Sequence, residues 1–197
     1  MWLFREKLQV SGGFWLLLGW FLYANGWQLL AAVLAAAVLH ESGHWLALRL
    51  MGARVASVGI SVFGAEMRTV GRLSYGGELL AVLAGPAVNL AAGELLAAAG
   101  EPWLEAAGAQ VVLGLFNLLP VRPLDGGRAL ALAVSWAAGP AAGEQAAECV
   151  SFLTASLLAC GTVWLMIKTG GSLWLLPAVV GFAASAGREL AGKHTFL

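Results

Sequence analysis

Long apolar runs fill most of the chain, and short groups of Gly, Pro and charged residues separate them. Taken in order, the runs predict six membrane spans, near residues 8–24, 27–49, 77–99, 103–121, 146–168 and 172–190. Each is close to the roughly 17–25 residues that a helix needs to cross a hydrocarbon core. The predicted fold class is a mainly α membrane protein with about six transmembrane helices.

Residues 54–71 interrupt this pattern, because they are rich in Val, Ile and Thr and contain two turn-forming glycines. Such a composition favours a short β-hairpin. An open strand edge at membrane depth is tolerated only against protein or water. We therefore predict a small membrane-associated hairpin that packs over the spans.

Positive charges show which face of the membrane each loop occupies. The chain has 11 Lys and Arg residues, and all except Lys168 fall on one face or at the span ends beside it. Cytoplasmic loops collect Lys and Arg. A multi-pass protein with both its N- and C-termini in the cytoplasm is therefore expected.

The amino-acid composition limits the classes of partner that the protein can bind. Hydrophobic residues make up 60% of the chain and charged residues 11%, and the mean hydropathy is +0.81. These values are far from those of a soluble domain, so the lipid bilayer is an expected partner. The net charge is zero, so no basic surface is available to neutralise a nucleic-acid backbone, and nucleic-acid binding is excluded.

Three polar residues stand out in the second predicted span, which reads AAVLAAAVLHESGHWLALRL. His40 and His44 are four residues apart, so both imidazoles lie on one helical face and can hold one Zn²⁺. Glu41 is then placed to act as the general base that takes a proton from the attacking water. The alternative is that these side chains only satisfy neighbouring helices, but a buried charge without compensation is costly in a membrane.

A catalytic zinc normally takes three protein ligands, so a third must come from elsewhere in the chain. Asp125 is the favoured candidate, because it follows the fourth span on the same face as the histidines. It lies in NLLPVRPLDGGR, where two prolines stop a helix and two glycines permit close backbone approach. The alternative role for Asp125 is to cap the following helix.

These residues resemble the motifs of the site-2 protease family of intramembrane metalloproteases. The family's HExxH helix matches His40–His44, and its NxxPxxxxDG segment matches Asn117–Gly126. A GPxxN signature is similar to Gly85–Asn89. The resemblance covers roughly residues 30–130 and is strongest to the stage IV sporulation protein FB group. Members of that group commonly carry a CBS domain, which this chain is expected to lack.

The resemblance implies a single metalloprotease domain over 1–197, with core motifs within 30–130, a hairpin near 54–71 and C-terminal helices at 146–190. It implies one Zn²⁺ per chain, a bacterial cytoplasmic membrane location and a membrane-associated protein substrate, such as a sigma-factor precursor. A membrane inhibitor protein is a further candidate partner. The substrate is expected to enter as an extended strand, and the candidate substrate-binding residues are Phe63, Gly64, Asn117 and Pro120.

Two other function classes remain as alternatives. A membrane metal-ion transporter would also place polar groups at membrane depth, but no pair of matched broken helices indicates alternating access. A non-catalytic membrane scaffold would not require His40, Glu41, His44 and Asp125 together. Regulated intramembrane proteolysis is therefore the preferred interpretation.

Reporter fusions test the predicted topology. A C-terminal fusion should be active only with a reporter that works in the cytoplasm, because six spans return the chain to the side on which it began. A fusion within residues 100–102, between the third and fourth spans, should report the opposite side. A C-terminal fusion that works only outside the cytoplasm would mean an odd span count or an inverted chain.

Overall fold

The computed structural model describes residues 7–61, 64–71, 73–170 and 175–190. The chain divides into two compact units, Met1–Asn117 and Leu118–Leu197. Both are mainly helical, which agrees with the predicted fold class. Each unit is described separately below.

The first unit contains three α-helices, α1 (Gly12–Leu50), α2 (Tyr75–Ala98) and α3 (Leu104–Asn117), and a 3-10 turn at Glu101–Trp103 precedes α3. Within α1, Gly26 has φ 81° and ψ 172°, so two helical segments meet there. Glycine adopts this backbone conformation without a Cβ penalty. The break separates the predicted spans 8–24 and 27–49.

A three-stranded sheet completes this unit, with β1 (Lys7–Val10), β2 (Arg54–Ser61) and β3 (Gly64–Val70) in that order. Strand β2 pairs in parallel with β1 and antiparallel with β3. The antiparallel pair is the predicted hairpin. Its hydrophobic side packs on the end of α1, where Val55 and Met67 contact the cluster around Leu48 and Ala81.

The second unit contains α4 (Asp125–Ala138), α5 (Pro140–Lys168) and α6 (Leu176–Leu190). Helix α4 is absent from the predicted spans, because at 14 residues it is shorter than the apolar runs from which the spans were inferred. Small residues let the helices approach closely, since a Cβ on Gly143 would overlap Ser135 of α4. The buried cluster of this unit contains Val121, Ala155 and Ala186.

Three helices in the described ranges are long and apolar enough to cross a membrane, namely α1, α2 and α5. Helix α3 ends at Asn117 after 14 residues, about 21 Å at the α-helical rise, and α6 has 15 residues. Large apolar side chains point outward along the long helices, including Leu16, Trp27 and Leu157, which are 70–78% exposed. Such surfaces suit lipid and indicate an integral membrane protein.

Helices α1 and α2 approach most closely where glycines face backbone. A Cβ on Gly43 of α1 would lie 2.8 Å from the carbonyl oxygen of Ala84 and 3.1 Å from the Cα of Gly85. Backbone atoms cannot rotate away as a side chain can. The contact therefore requires glycine at position 43.

Gly43→Ala should destabilise the protein by roughly 1–3 kcal/mol, because the new methyl group forces α1 and α2 apart. Gly19→Ala is the matched control, since Gly19 is also in α1 but has open space around its Cβ position. That control should be neutral or stabilising by about 0.5–1 kcal/mol. Thermal unfolding of both metal-free variants in detergent measures the difference, and equal unfolding temperatures would contradict the packing argument.

Candidate metal centre

His40 and His44 present their imidazoles to each other on α1. Their Nε2 atoms are 3.1 Å apart, and their rings meet edge to face with centroids 4.7 Å apart. The helical spacing of four residues produces this arrangement, because it stacks two side chains one turn apart. His40 is only 5% exposed.

The partners of the Nδ1 atoms define both tautomers. His44 Nδ1 lies 2.8 Å from the carbonyl oxygen of Ala81, which can only accept, so this nitrogen carries the proton. His40 Nδ1 lies 2.6 Å from Asn89 Oδ1. Asn89 Nδ2 donates to two other oxygens, so Oδ1 must accept from His40. In the neutral form of each ring, these Nδ1 protons leave the lone pair on Nε2.

The two lone pairs converge, and this arrangement fits a bound cation. In a tetrahedral zinc site with Zn–N bonds of 2.0–2.1 Å, two nitrogen ligands are about 3.3 Å apart. The observed separation of 3.1 Å is close to that value. The Nδ1 hydrogen bonds to a carbonyl and an amide are also typical of zinc-ligating histidines.

Helix α2 holds both rings in place. Besides the Ala81 carbonyl and the Asn89 amide, it provides space at Gly85, where a Cβ would overlap the His44 imidazole. Sequence reasoning included Gly85 and Asn89 only through the family resemblance. It missed Ala81, because a backbone carbonyl leaves no trace in the sequence.

Glu41 follows His40 directly, so it projects about 100° further round α1. Its side chain is partly exposed, whereas His40 is buried. Glu41 is therefore adjacent to the histidine pair along α1 and less buried than His40. This is the position in which the sequence predicts a general base.

In the second unit, Asp125 is the first residue of α4 and is 9% exposed. Next to it, a Cβ on Gly126 would overlap the carbonyl groups of Leu118 and Leu119. On Gly127 it would lie 2.9 Å from the Val121 carbonyl. The preceding loop therefore folds tightly against the first turn of α4, and the two glycines make this possible.

Arg122 anchors that loop to other helices of its unit. Its backbone N–H donates to Ser151 Oγ at 2.9 Å, and its carbonyl oxygen accepts from Ser185 Oγ. Its guanidinium donates to Glu144 Oε1 at 2.9 Å. Backbone bonds from Leu124 to Val121 and from Gly127 to Leu124 continue the turn. These hydrogen bonds fix the loop that ends at Asp125.

Comparison with known proteins finds similarity to a peptidase family over part of the chain. The family model described as Peptidase family M50 matches residues 67–160, a range that includes Asn117 and Asp125 but begins after His44. "Putative zinc metalloprotease Rip3" of Mycobacterium tuberculosis, found in two strains, is 36% identical over 155 residues. That match covers 65% of this chain and 37% of the relative, so the chain spans little more than a third of its length.

A solved structure has the same fold. Site-2 Protease from Methanocaldococcus jannaschii matches with a TM-score of 0.61 over 94% of this chain and 93% of the other, at 20% sequence identity. The chain is therefore similar to peptidase family M50 over residues 67–160, and the solved structure shows the same fold. The printed name of the mycobacterial relative includes zinc. In the first unit of this chain, the His40 and His44 Nε2 atoms are close enough to share one metal ion.

The predicted substrate-binding residues lie on α3, in the loop before α4 and at the hairpin. Asn117 ends α3 and its Nδ2 donates to Leu113 of the same helix at 3.0 Å. Pro120 is partly exposed in the loop before α4, and Gly64 begins β3. Phe63 lies outside the described residues. Their substrate-binding role stays a prediction.

Metal analysis tests the histidine pair. The purified protein should bind about one zinc, and a His40→Ala, His44→Ala double variant should bind none, because two of three predicted ligands are removed. Asn25→Ala serves as control, since Asn25 is on an exposed part of α1. Undiminished zinc in a folded double variant would show that these histidines are not ligands.

Proposed function

We propose that this chain is an intramembrane zinc metalloprotease that hydrolyses peptide bonds of membrane-associated or transmembrane proteins. The observation that carries the proposal is the converging pair of Nε2 lone pairs on α1, with Glu41 beside it. The relative from Mycobacterium tuberculosis is named as a zinc metalloprotease, which supports the same chemistry. The protease assignment for the whole protein rests on this combination.

In the proposed site, His40 Nε2, His44 Nε2 and the Asp125 carboxylate would hold one zinc ion. Two histidines and one carboxylate leave a coordination position open, as catalytic zinc sites do. When bound, zinc supplies a Lewis acid that makes water more acidic and polarises the scissile carbonyl. Within the first unit, the hydrogen bonds that the histidines donate to α2 orient both imidazoles, and within the second unit the loop before α4 holds Asp125.

Glu41 is proposed as the general base. Its carboxylate accepts a proton from water as the water oxygen attacks the peptide carbonyl carbon. As the C–N bond breaks, the protonated Glu41 returns that proton to the leaving nitrogen. The partly exposed position of Glu41 gives both water and substrate access to the carboxylate.

The substrate is proposed to bind as an extended strand at the edge of β3, because β3 pairs only with β2 among the described strands. A helical substrate buries its carbonyl groups in its own hydrogen bonds, so cleavage requires local unwinding. Strand addition gives the exposed backbone new partners. Gly64 begins β3, along which the substrate strand is proposed to pair, and Phe63 precedes Gly64 in the sequence. Asn117 and Pro120 are proposed to contact the substrate near the metal.

Six membrane spans, both termini in the cytoplasm and a bacterial cytoplasmic membrane location are part of the proposal. Three long apolar helices support several membrane crossings, and so does the non-helical backbone at Gly26, which interrupts α1. A sigma-factor precursor is the proposed kind of substrate by resemblance to the stage IV sporulation protein FB group. A membrane inhibitor protein is proposed as a regulator on the same basis.

Glu41→Gln should abolish cleavage while zinc content stays at the wild-type level. The amide keeps the size of the side chain but cannot accept the water proton, and losing a general base costs roughly 10²–10⁴-fold in rate. Asp125→Asn should instead weaken zinc binding, so added zinc should restore part of its activity but none of that of Glu41→Gln. Glu94→Gln, an exposed carboxylate on α2, is the matched control and should cleave normally.

The assay uses a panel of tagged single-span proteins, either co-expressed with the protein in bacterial membranes or reconstituted with it in liposomes. Cleavage is scored by shortened fragments on gels. Zinc content and helicity of each variant are measured in parallel. Cleavage by Glu41→Gln at a near wild-type rate would remove the hydrolytic assignment. In that case the metal-ion transporter would become the better interpretation.

A further inference from the structure

A chain of buried polar side chains runs from α3 through α2 to α1 and ends at a predicted metal ligand. Gln110 Oε1 accepts from Asn89 Nδ2, and Asn89 Oδ1 accepts from His40 Nδ1. Asn89 is 0% exposed and Gln110 5% exposed. We propose that Asn89 and Gln110 are positioning residues, through which α2 and α3 set the tautomer and orientation of His40 for metal binding.

The direction of each hydrogen bond follows from the chemistry of the partners. Asn89 Nδ2 has two protons, and it uses them on the Ala36 carbonyl at 3.0 Å and on Gln110 Oε1. Rotating the amide by half a turn would place Oδ1 against the Ala36 carbonyl, which can only accept, and would turn the amide protons toward His40 Nδ1. The Ala36 carbonyl therefore fixes the Asn89 orientation in which Oδ1 faces His40, and Gln110 Oε1 accepts the second amide proton of that orientation.

Asn89 contacts α1 at two points one turn apart. It donates to the Ala36 backbone and accepts from the His40 ring, and these two residues lie on the same face of the helix. The imidazole is thus aligned with respect to its own helix. A polar group that served only as an interhelical link would need just one of these contacts.

The hydrogen bond at Nδ1 determines what Nε2 can do. While Asn89 Oδ1 accepts from Nδ1–H, the lone pair of the neutral ring is on Nε2, the atom that faces His44 Nε2. Without an acceptor at Asn89, His40 can rotate or move its proton to Nε2, where it blocks coordination. Loss of such a partner typically weakens metal binding by roughly 10–100-fold.

This inference rests on the proposed function, because it assigns His40 as a ligand. It adds two residues to the machinery, neither of which supplies a ligand atom or touches the reacting atoms. Gln110 acts through Asn89, so its effect depends on that residue. This dependence can be measured.

The test is a double-mutant cycle on the full chain in detergent, with Zn²⁺ and Co²⁺ as probes. Affinity comes from competition with a chelator, and the visible absorption of Co²⁺ at saturation reports ligand geometry. Asn89→Leu should weaken Zn²⁺ binding roughly 10–100-fold and change the Co²⁺ spectrum. Gln110→Leu should have a smaller effect of the same kind, and it should add nothing in the Asn89→Leu background.

Three further variants separate positioning from folding. Asn89→Asp keeps an acceptor for His40 Nδ1–H, so it should bind both metals more tightly than Asn89→Leu. Asn25→Leu and Gln28→Leu make the same amide-to-leucine changes at exposed positions on α1, and both should match the wild type. Helicity and unfolding temperature of every metal-free variant are recorded as fold controls.

The outcomes distinguish this inference from the proposed function. A wild-type chain that binds neither metal would remove the zinc-protease proposal itself. A metal-binding wild type together with a folded Asn89→Leu variant of unchanged affinity and Co²⁺ spectrum would overturn the positioning role alone. If Asn89→Leu does not fold, unchanged metal binding in Gln110→Leu overturns the role of Gln110, and failure of Asn89→Asp to bind Co²⁺ overturns that of Asn89.

Discussion

The close approach of α1 and α2 is the constraint on which the histidine pair depends. Gly43 faces the backbone of Ala84 and Gly85, and Gly85 in turn leaves the space that the His44 ring occupies. Only at this distance can the Ala81 carbonyl reach His44 and the Asn89 amide reach His40. Two glycines on facing helices therefore fix two imidazoles, and through them the geometry available to a metal.

Lipid removes the usual hydrophobic force between helices, so packing and polar contacts must hold them together. The first unit uses both. Ala36, Ala81 and Ala107 are almost fully buried at its helix contacts, while the hydrogen bonds of Asn89 join α1 and α3 to α2. In the described residues, no buried side-chain nitrogen or oxygen lacks a partner. The polar groups that the metal chemistry needs thus also stabilise the helix packing.

The sequence was sufficient to predict the elements with strong periodicity and the residues with distinctive chemistry. Helical spacing placed His40 and His44 together, and the β-branched residues of 54–71 predicted the antiparallel pair. Helix α4 was missed because it is short, and the end of α3 was placed beyond Asn117 because Leu118 and Leu119 continue the apolar run. Gln110 was missed because a single amide in an apolar helix does not show which partner it meets.

The structure also shows how a polar centre is accommodated in an apolar helix. Along α1, the outward side chains Val38 and Leu46 are 67% and 52% exposed, whereas His40 between them in sequence is 5% exposed. One helix therefore presents a lipid-compatible face and a polar face within two turns. Ala81 and Asn89 already orient the imidazoles of His44 and His40. The reorganisation of these two side chains on metal binding is therefore small. The free-energy cost of ordering these polar side chains is therefore offset largely during folding, before any substrate binds.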